Sequence, residues 1–133
     1  MRRRFLQAAL AVTGALVVGV AGAQQFPSKP SKMIVAFPPG GPADVLARPL
    51  AEGLARQWNQ PVLVENKPGA NSIIATEYVA KQPGDGHTMI LANDPSLSSN
   101  QYLYSKLPYD PVKDFTAVAG VATTTLILVV PAS

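Results

Sequence analysis

The stretch Met33–Asp44, MIVAFPPGGPAD, decides the reading of this chain: an apolar run enters two prolines, two glycines, a third proline and an acid. An apolar strand, a turn and then an amphipathic helix is how α/β proteins build a binding site. The first backbone N–H groups of the helix point unpaired at whatever occupies the turn. Gly40 and Gly41 let backbone approach a ligand closely and adopt positive φ, and the helix N-terminus favours negative charge by roughly 0.3–1 kcal/mol when exposed. The stretch is a candidate anion cradle. Asp44 would repel an anion held there, so its expected role is to cap the helix, or to bind a water or an amino group of the ligand.

Elements follow outward from this turn. Met33 to Phe37 reads as a short strand buried on both faces. A helix from Pro42 shows apolar residues at Val45, Leu46, Leu50, Leu54 and Trp58, interrupted by Pro49, which removes a hydrogen bond and predicts a kink. Pro61 to Glu65 is a second strand, and Asn66 to Ser72 a turn marked by Pro68-Gly69. Asn71 or Ser72 is placed to cap a second helix carrying Ile73, Ile74, Tyr78 and Val79, which ends before Pro83-Gly84-Asp85-Gly86. Thr88 to Ala92 is a third strand. Strand, helix, strand, helix, strand with short links predicts a parallel sheet with right-handed crossovers, the α/β class. Beyond Asn93 the chain turns polar and proline-rich, with a short helix near Leu97 to Tyr104 and a turn at Pro108–Pro111. The β-branched tract Thr116 to Pro131 predicts one or two further strands, Leu126 to Val130 being the most apolar.

The N-terminus has another character. Arg2, Arg3 and Arg4 precede an apolar run from Ala8 to Val20 and a small-residue site, Ala21-Gly22-Ala23, so residues 1–23 read as an export signal cleaved after Ala23. The order Arg2-Arg3-x-Phe5-Leu6 resembles a twin-arginine signal, with a Sec signal the alternative. The run is shorter than the roughly 17–25 residues of a membrane-spanning helix. Removing 23 of the 133 residues leaves 110, enough for one small domain. Three of the eleven basic residues leave with the signal, so eight acidic residues face eight basic ones. The pI near 9.4 is an effect of the leader, and a neutral domain with no basic stripe argues against nucleic acid as a partner. There is no cysteine, so an oxidising compartment neither helps nor harms the chain.

Enzymatic readings are weak. His87 is the single histidine; a zinc site would need an unusual carboxylate set, and a surface or strand-edge histidine is the simpler account. A triad of Ser96 or Ser98 with His87 and Asp94 lacks a GxSxG elbow. PPGGPAD is neither GxxxxGK[ST] nor GxGxxG, and no lysine follows to meet a phosphate. Arg48, on the first helix, is placed to meet a carboxylate or Glu52 one turn on, a surface ion pair being the simpler account. Tyr102, Tyr104 and Tyr109 are read as packing a long loop against the domain. No catalytic residue, metal site or cofactor is assigned.

Several separated motifs point one way: the lead-in FPSKP, the turn FPPGGPAD, Ala47-Arg48, VENKPGA at 64–70, PGDGHTM at 83–89 and LPYDPVKDF at 107–115. Together they resemble the extracytoplasmic substrate-binding receptors of tripartite tricarboxylate transporters, the Bug or TctC family. The resemblance covers the whole mature chain but about the first half of such a receptor. It implies a type II periplasmic binding protein, two α/β lobes that close on a small carboxylate and present it to membrane permease subunits. Residues 24–133 would then be part of lobe 1, with the second lobe absent.

Family ligands are dicarboxylates and tricarboxylates, with some amino acids and aromatic acids. By the family pattern the contacts would come from Phe37, Pro39, Gly40, Gly41, Pro42, Ala43 and Asp44, from Asn66, Asn71 and Ser72, and from Asn93, Asp94 and Ser96. Many relatives carry glycines where this chain has Asn71, Ser72 and Ala75, and an aromatic residue such as tyrosine is common where it has His87. The resulting expectation is a periplasmic solute-binding component for an organic acid, with no enzymatic activity. Because the sequence stops just past an apolar strand, it also reads as a fragment or early-terminated product. The alternatives are an inert remnant of such a receptor, and a small exported enzyme of flavodoxin-like topology using the same turn for a cofactor.

Overall fold

Five residues, Ser31–Val35, form the central strand β1 of a three-stranded parallel sheet ordered β2-β1-β3. Strand β2 spans Val62–Asn66 and β3 spans Thr88–Leu91. Met33 lies opposite both Val64 and Met89. The computed structural model describes residues 26–125 and 129. The expected leader lies outside these residues, as does the apolar stretch 126–130 apart from Val129.

Side chains alternate across the strand, and each face of β1 finds its own helix. Met33 and Val35 are buried with Ala47 and Ala51 of helix α1, Pro42–Trp58, and Leu50, Leu54, Val62, Val64, Met89 and Leu91 pack around them. Ile34 and Ala36 face the other way, against Ala75 of helix α2, Ile73–Ala80, with Tyr78, Val79 and Ile90. The result is three layers, helix on sheet on helix, as the continuous apolar run in β1 demands.

The elements match the expected order, with the first two strands displaced by a residue or two. The orientation of α1 differs from expectation. The apolar spacing puts Val45 and Leu46 on the buried stripe, yet they are 61% and 43% exposed. Ala43, Ala47 and Ala51, spaced by four, face the sheet instead, and Leu50 and Leu54 flank them. Small residues let the helix approach the strands closely, and the leucines fill the margins. Pro49 is tolerated within a continuous helix. The partner its missing N–H would have met is the carbonyl of Val45, on the solvent side, where water can satisfy it.

Two further expectations are corrected. Neither Asn71 nor Ser72 caps α2 through its side chain; Ala70, Asn71 and Ser72 form a single tight turn with φ of 46°, 50° and 72°. Left-handed backbone cannot present the usual cap geometry, in which the capping residue is extended. The tract 116–125 forms no strand and every residue of it is exposed. β-branched residues favour a strand only where a neighbour offers a ladder, and no described strand pairs with this tract.

The opposite end of the sheet is closed by the lead-in. Phe26 meets Trp58 edge-on at 5.6 Å between ring centroids and His87 at 5.0 Å. The Ser31 hydroxyl lies 3.2 Å from His87 Nδ1, with both residues buried. His87 therefore sits at the edge of a strand, at the entry to β3, as the sequence suggests, but is buried there rather than at the surface. Of the three tyrosines expected to pack, Tyr109 is buried, its hydroxyl donating to the Ser96 carbonyl at 2.8 Å, whereas Tyr102 and Tyr104 are exposed. Among the described residues, no helix is long and apolar enough to cross a membrane.

Candidate functional site

Parallel strands bring three connections to one end of the sheet: the turn after β1, the turn after β2 and the segment after β3. The chain steps from β1 outward to β2, then across to β3 on the other flank of β1. Between β1 and β3 the winding reverses, and the crevice beyond the strand ends at such a point is where open α/β sheets bind ligands. The candidate site is located by topology alone.

The turn after β1 is built by proline and glycine. Gly41 N–H donates to the Pro38 carbonyl at 3.2 Å, and Gly40 takes φ +80°, a conformation that favours glycine. A Cβ on Gly40 would meet nothing within 4 Å, so the glycine serves the turn's conformation rather than a close contact within this chain. Gly41 is the N-cap of α1, Pro42 occupies the first helical position, and no side chain caps the helix. The first-turn N–H groups of Ala43 and Asp44 are thus left without a capping side chain at the mouth of the turn. Pro39, Gly40 and Pro42 are exposed, while Phe37 packs between the two core clusters.

Asp44 has a role different from either expected one. It is the third helical residue, not the cap, and it is 3% exposed. Its Oδ2 accepts from Gly40 N–H at 2.9 Å and Arg48 Nε at 2.8 Å, and its Oδ1 from Arg48 Nη2 at 2.9 Å and Asn66 Nδ2 at 2.8 Å. The paired guanidinium, the Gly40 amide and the Asn66 amide, in that order, hold its carboxyl well below the usual carboxylate range against the opposing effect of burial. Arg48 pairs with Asp44 rather than with Glu52, and its own pKa is raised by the same partner. The spacing of four between Asp44 and Arg48 was the available signal.

Asn66, at the end of β2, also donates to the Phe37 carbonyl at 3.0 Å. Asn71 Nδ2 donates to Asn100 Oδ1 at 2.7 Å, and Asn100 Nδ2 returns a bond to the Asn71 carbonyl at 2.9 Å. Asn100 opens the short helix α3, Asn100–Leu103, and is 1% exposed. Sequence reasoning missed it, and nothing local to residue 100 signals a partner 29 positions away. Ser72 is buried and its carbonyl accepts from Thr76 Oγ1 at 2.8 Å.

After β3 the chain makes one wide helical turn, Pro95–Ser99, of the π type that inserts an extra residue. Ser96 is 1% exposed, and its hydroxyl donates to Asn93 Oδ1. Asp94 is exposed and accepts from Ser99 Oγ. The structure therefore gathers all three expected segments at one end, but buries Asp44, Ser72 and Ser96, while Asn66 stays partly exposed with its side chain bonded to Phe37 and Asp44. Phe37, Pro39, Gly40, Gly41, Pro42, Ala43, Asn71, Asn93 and Asp94 keep exposed or partly exposed positions. His87 precedes β3 and Asp94 follows it, so the strand alone separates them by roughly 13 Å, and no triad with Ser96 or Ser98 is assembled. No group of three or more potential metal ligands occurs among the described residues. A separate hollow of about 330 Å³ near Gln101, Tyr104 and Asp110 is lined by none of the strand-end residues.

A three-layer parallel lobe with its loops gathered at the winding reversal is the architecture of a small-molecule binding lobe. Residues 46–133 match the family model described as "Tripartite tricarboxylate transporter family receptor". The chain belongs to this family. It is 42% identical over 107 residues to the UPF0065 protein of the tcbD-tcbE intergenic region of Pseudomonas sp. strain P51, covering 80% of this chain and 32% of that protein. To BugT of Bordetella pertussis it is 39% identical over 126 residues, covering 90% of this chain and 39% of BugT.

Among solved structures it is similar to MatC of Rhodopseudomonas palustris with bound malate, with a TM-score of 0.68 at 38% identity over 72% of this chain and 33% of MatC. An R. palustris protein solved with adipate gives 0.62 at 35% identity, over 65% and 29% of the two chains. A structure described as a periplasmic transporter gives 0.64 at 37%, over 66% and 30%. The chain thus spans about a third of the length of these relatives, less than the half that the motifs implied.

Proposed function

We propose that this chain supplies one wall of a carboxylate-binding cleft in a periplasmic solute receptor that serves the permease of a tripartite transporter. The observation that carries the reading is the opening of α1 on Gly41, with no capping side chain, at the point where the sheet's winding reverses. Backbone N–H groups and the helix dipole suit a carboxylate, and the Asp44–Arg48 pairing removes the repulsion an unpaired acid would exert. That similar proteins have been solved with malate and with adipate supports a dicarboxylate as the ligand.

The ligand-facing residues in this reading are Phe37, Pro39, Gly40, Gly41, Pro42 and Ala43, with Asn71, Asn93 and Asp94; Asp44, Asn66, Ser72 and Ser96 stand behind them as supports. No step of chemistry is required of them. The opposite wall belongs to a second lobe, and residues 1–23 are an export signal removed after Ala23. Thermal-shift measurement of the chain against malate, adipate, citrate, glutamate and FMN tests the reading. Stabilisation by one or more of the organic acids is expected, and stabilisation by FMN alone would replace the receptor with a cofactor-binding enzyme.

A further inference from the structure

Asp44, Arg48 and Asn66 reach the same point from different places: two from successive turns of α1, one from the end of β2. Asn66 Nδ2 donates both to the Phe37 carbonyl at 3.0 Å and to Asp44 Oδ1 at 2.8 Å, which ties together the two ends of the turn after β1. Asp44 Oδ2 takes the N–H of Gly40, in the middle of that turn, at 2.9 Å. Arg48 holds both carboxylate oxygens through its Nε and Nη2, and the same Nη2 lies 3.4 Å from Asn66 Oδ1. Start, middle and end of the turn are all fastened to one carboxylate and one carboxamide.

The rest of the turn is held by three prolines, Pro38, Pro39 and Pro42, whose rings fix φ, and by Phe37, packed between the two core clusters. Pro38, Pro39, Gly40 and Pro42 are exposed, and within the turn the backbone contributes the bond from Gly41 N–H to the Pro38 carbonyl. Glycine at 40 adds freedom rather than stiffness. Without the three side chains the freedom at Gly40 would let the turn leave this shape, and a ligand would have to restore it on binding.

We infer that Asp44, Arg48 and Asn66 are a positioning clamp that fixes the turn after β1 in its ligand-ready shape and couples it to the turn after β2. The inference rests on the proposed reading of that turn as a wall of the carboxylate cleft. The clamp lowers the ordering cost of binding, which is the source of affinity in a preorganised site. It also engages the Gly40 N–H and turns the Nε and Nη2 of Arg48 toward Asp44, so in this reading the anion is met first by the N–H groups at the start of α1. The planar fork of arginine is needed to hold two oxygens of one carboxylate, and a lysine of equal charge cannot do it.

The test uses the chain and two variants, Arg48→Lys and Asn66→Ala, with amide hydrogen exchange followed by NMR and a malate titration below the unfolding transition. Both variants are expected to speed exchange at Gly40 and to weaken malate binding, each roughly tenfold. Protection at Ile34 and Ala75, in the core, is expected to stay as it was. A core that loosens together with Gly40 would make these residues general stabilisers and overturn the clamp, as would unchanged malate affinity once Gly40 is freed. If the unaltered chain binds neither malate nor adipate, the receptor reading fails, and the clamp is decided by Gly40 exchange alone: faster exchange with an intact core upholds it, unchanged exchange sinks it. Should Asn66→Ala not fold, Arg48→Lys decides between these outcomes, because its charge and its exposed position on α1 are kept.

Discussion

At Asp44 a carboxylate that accepts four hydrogen bonds is 3% exposed, and its guanidinium partner is itself half exposed. The folded protein favours the ionised form strongly, while the unfolded chain titrates near the ordinary aspartate value of about 3.9. A group whose pKa falls on folding adds stability that is fully present above the unfolded value and lost as the pH drops toward the folded one. Asp44→Asn is therefore expected to lower the thermal midpoint at pH 7, with the gap from the unaltered chain narrowing below about pH 4. Melting curves from pH 7 down to pH 3 check this; a gap that stays constant through that range would contradict the pairing.

The same residue marks how far sequence carries at this scale. That Asp44 matters to the helix start was legible from its place in the turn, and the spacing of four signalled Arg48, but Asn66 was not legible as a partner, because it comes from the end of β2, 22 positions away. Ala70, Asn71 and Ser72 were less legible still. Three non-glycine residues in succession at positive φ cost roughly 1–2 kcal/mol each by local preference, so local rules favour a capping role instead. Tertiary contacts override that preference: Asn71 and Asn100 bond each other in both directions across 29 positions.

At the scale of elements, short apolar runs, helical spacing and punctuation were enough to order the strands and helices, because Pro, Gly and Asp clusters interrupt the apolar runs. The buried face of α1 was not recoverable in the same way. A stripe read from large apolar residues passes over alanine, yet Ala47 is wholly buried against Met33 and Val35. Close approach of helix to sheet leaves no room for more than a methyl there. Ala47→Leu is expected to destabilise the fold by about 1–3 kcal/mol through overpacking, whereas Val45→Ala, at an exposed position of the same helix, should shift stability by no more than about 0.5 kcal/mol. Urea denaturation of the two variants measures both, and equal effects would put α1 in the wrong rotation. The tract 116–125 failed as a strand prediction for a related reason: composition reports what a segment suits, and a strand also needs a neighbour to pair with.

The described residues form a three-layer α/β unit in a family in which this chain matches about a third of its relatives' length. The candidate site was partly legible as a place, since the three connections had to meet at one end of a parallel sheet. Burial within it needed the structure: of the contacts expected from the family pattern, Ser72 and Ser96 are buried and Asn66 is partly buried, its side chain bonded to Phe37 and Asp44. A single open wall leaves a small ligand more exposed than a closed pocket, where most of its surface is buried, so binding by this lobe should be weak and confined to the strand-end turns. The most direct test is a two-dimensional NMR titration of the chain with malate, following each backbone amide. The account predicts shifts concentrated at Gly40, Gly41, Ala43 and Asp44, with smaller ones at Asn71, Asn93 and Asp94. Shifts centred instead on Phe26 and His87 at the opposite end of the sheet, or none with malate, adipate or citrate, would contradict it.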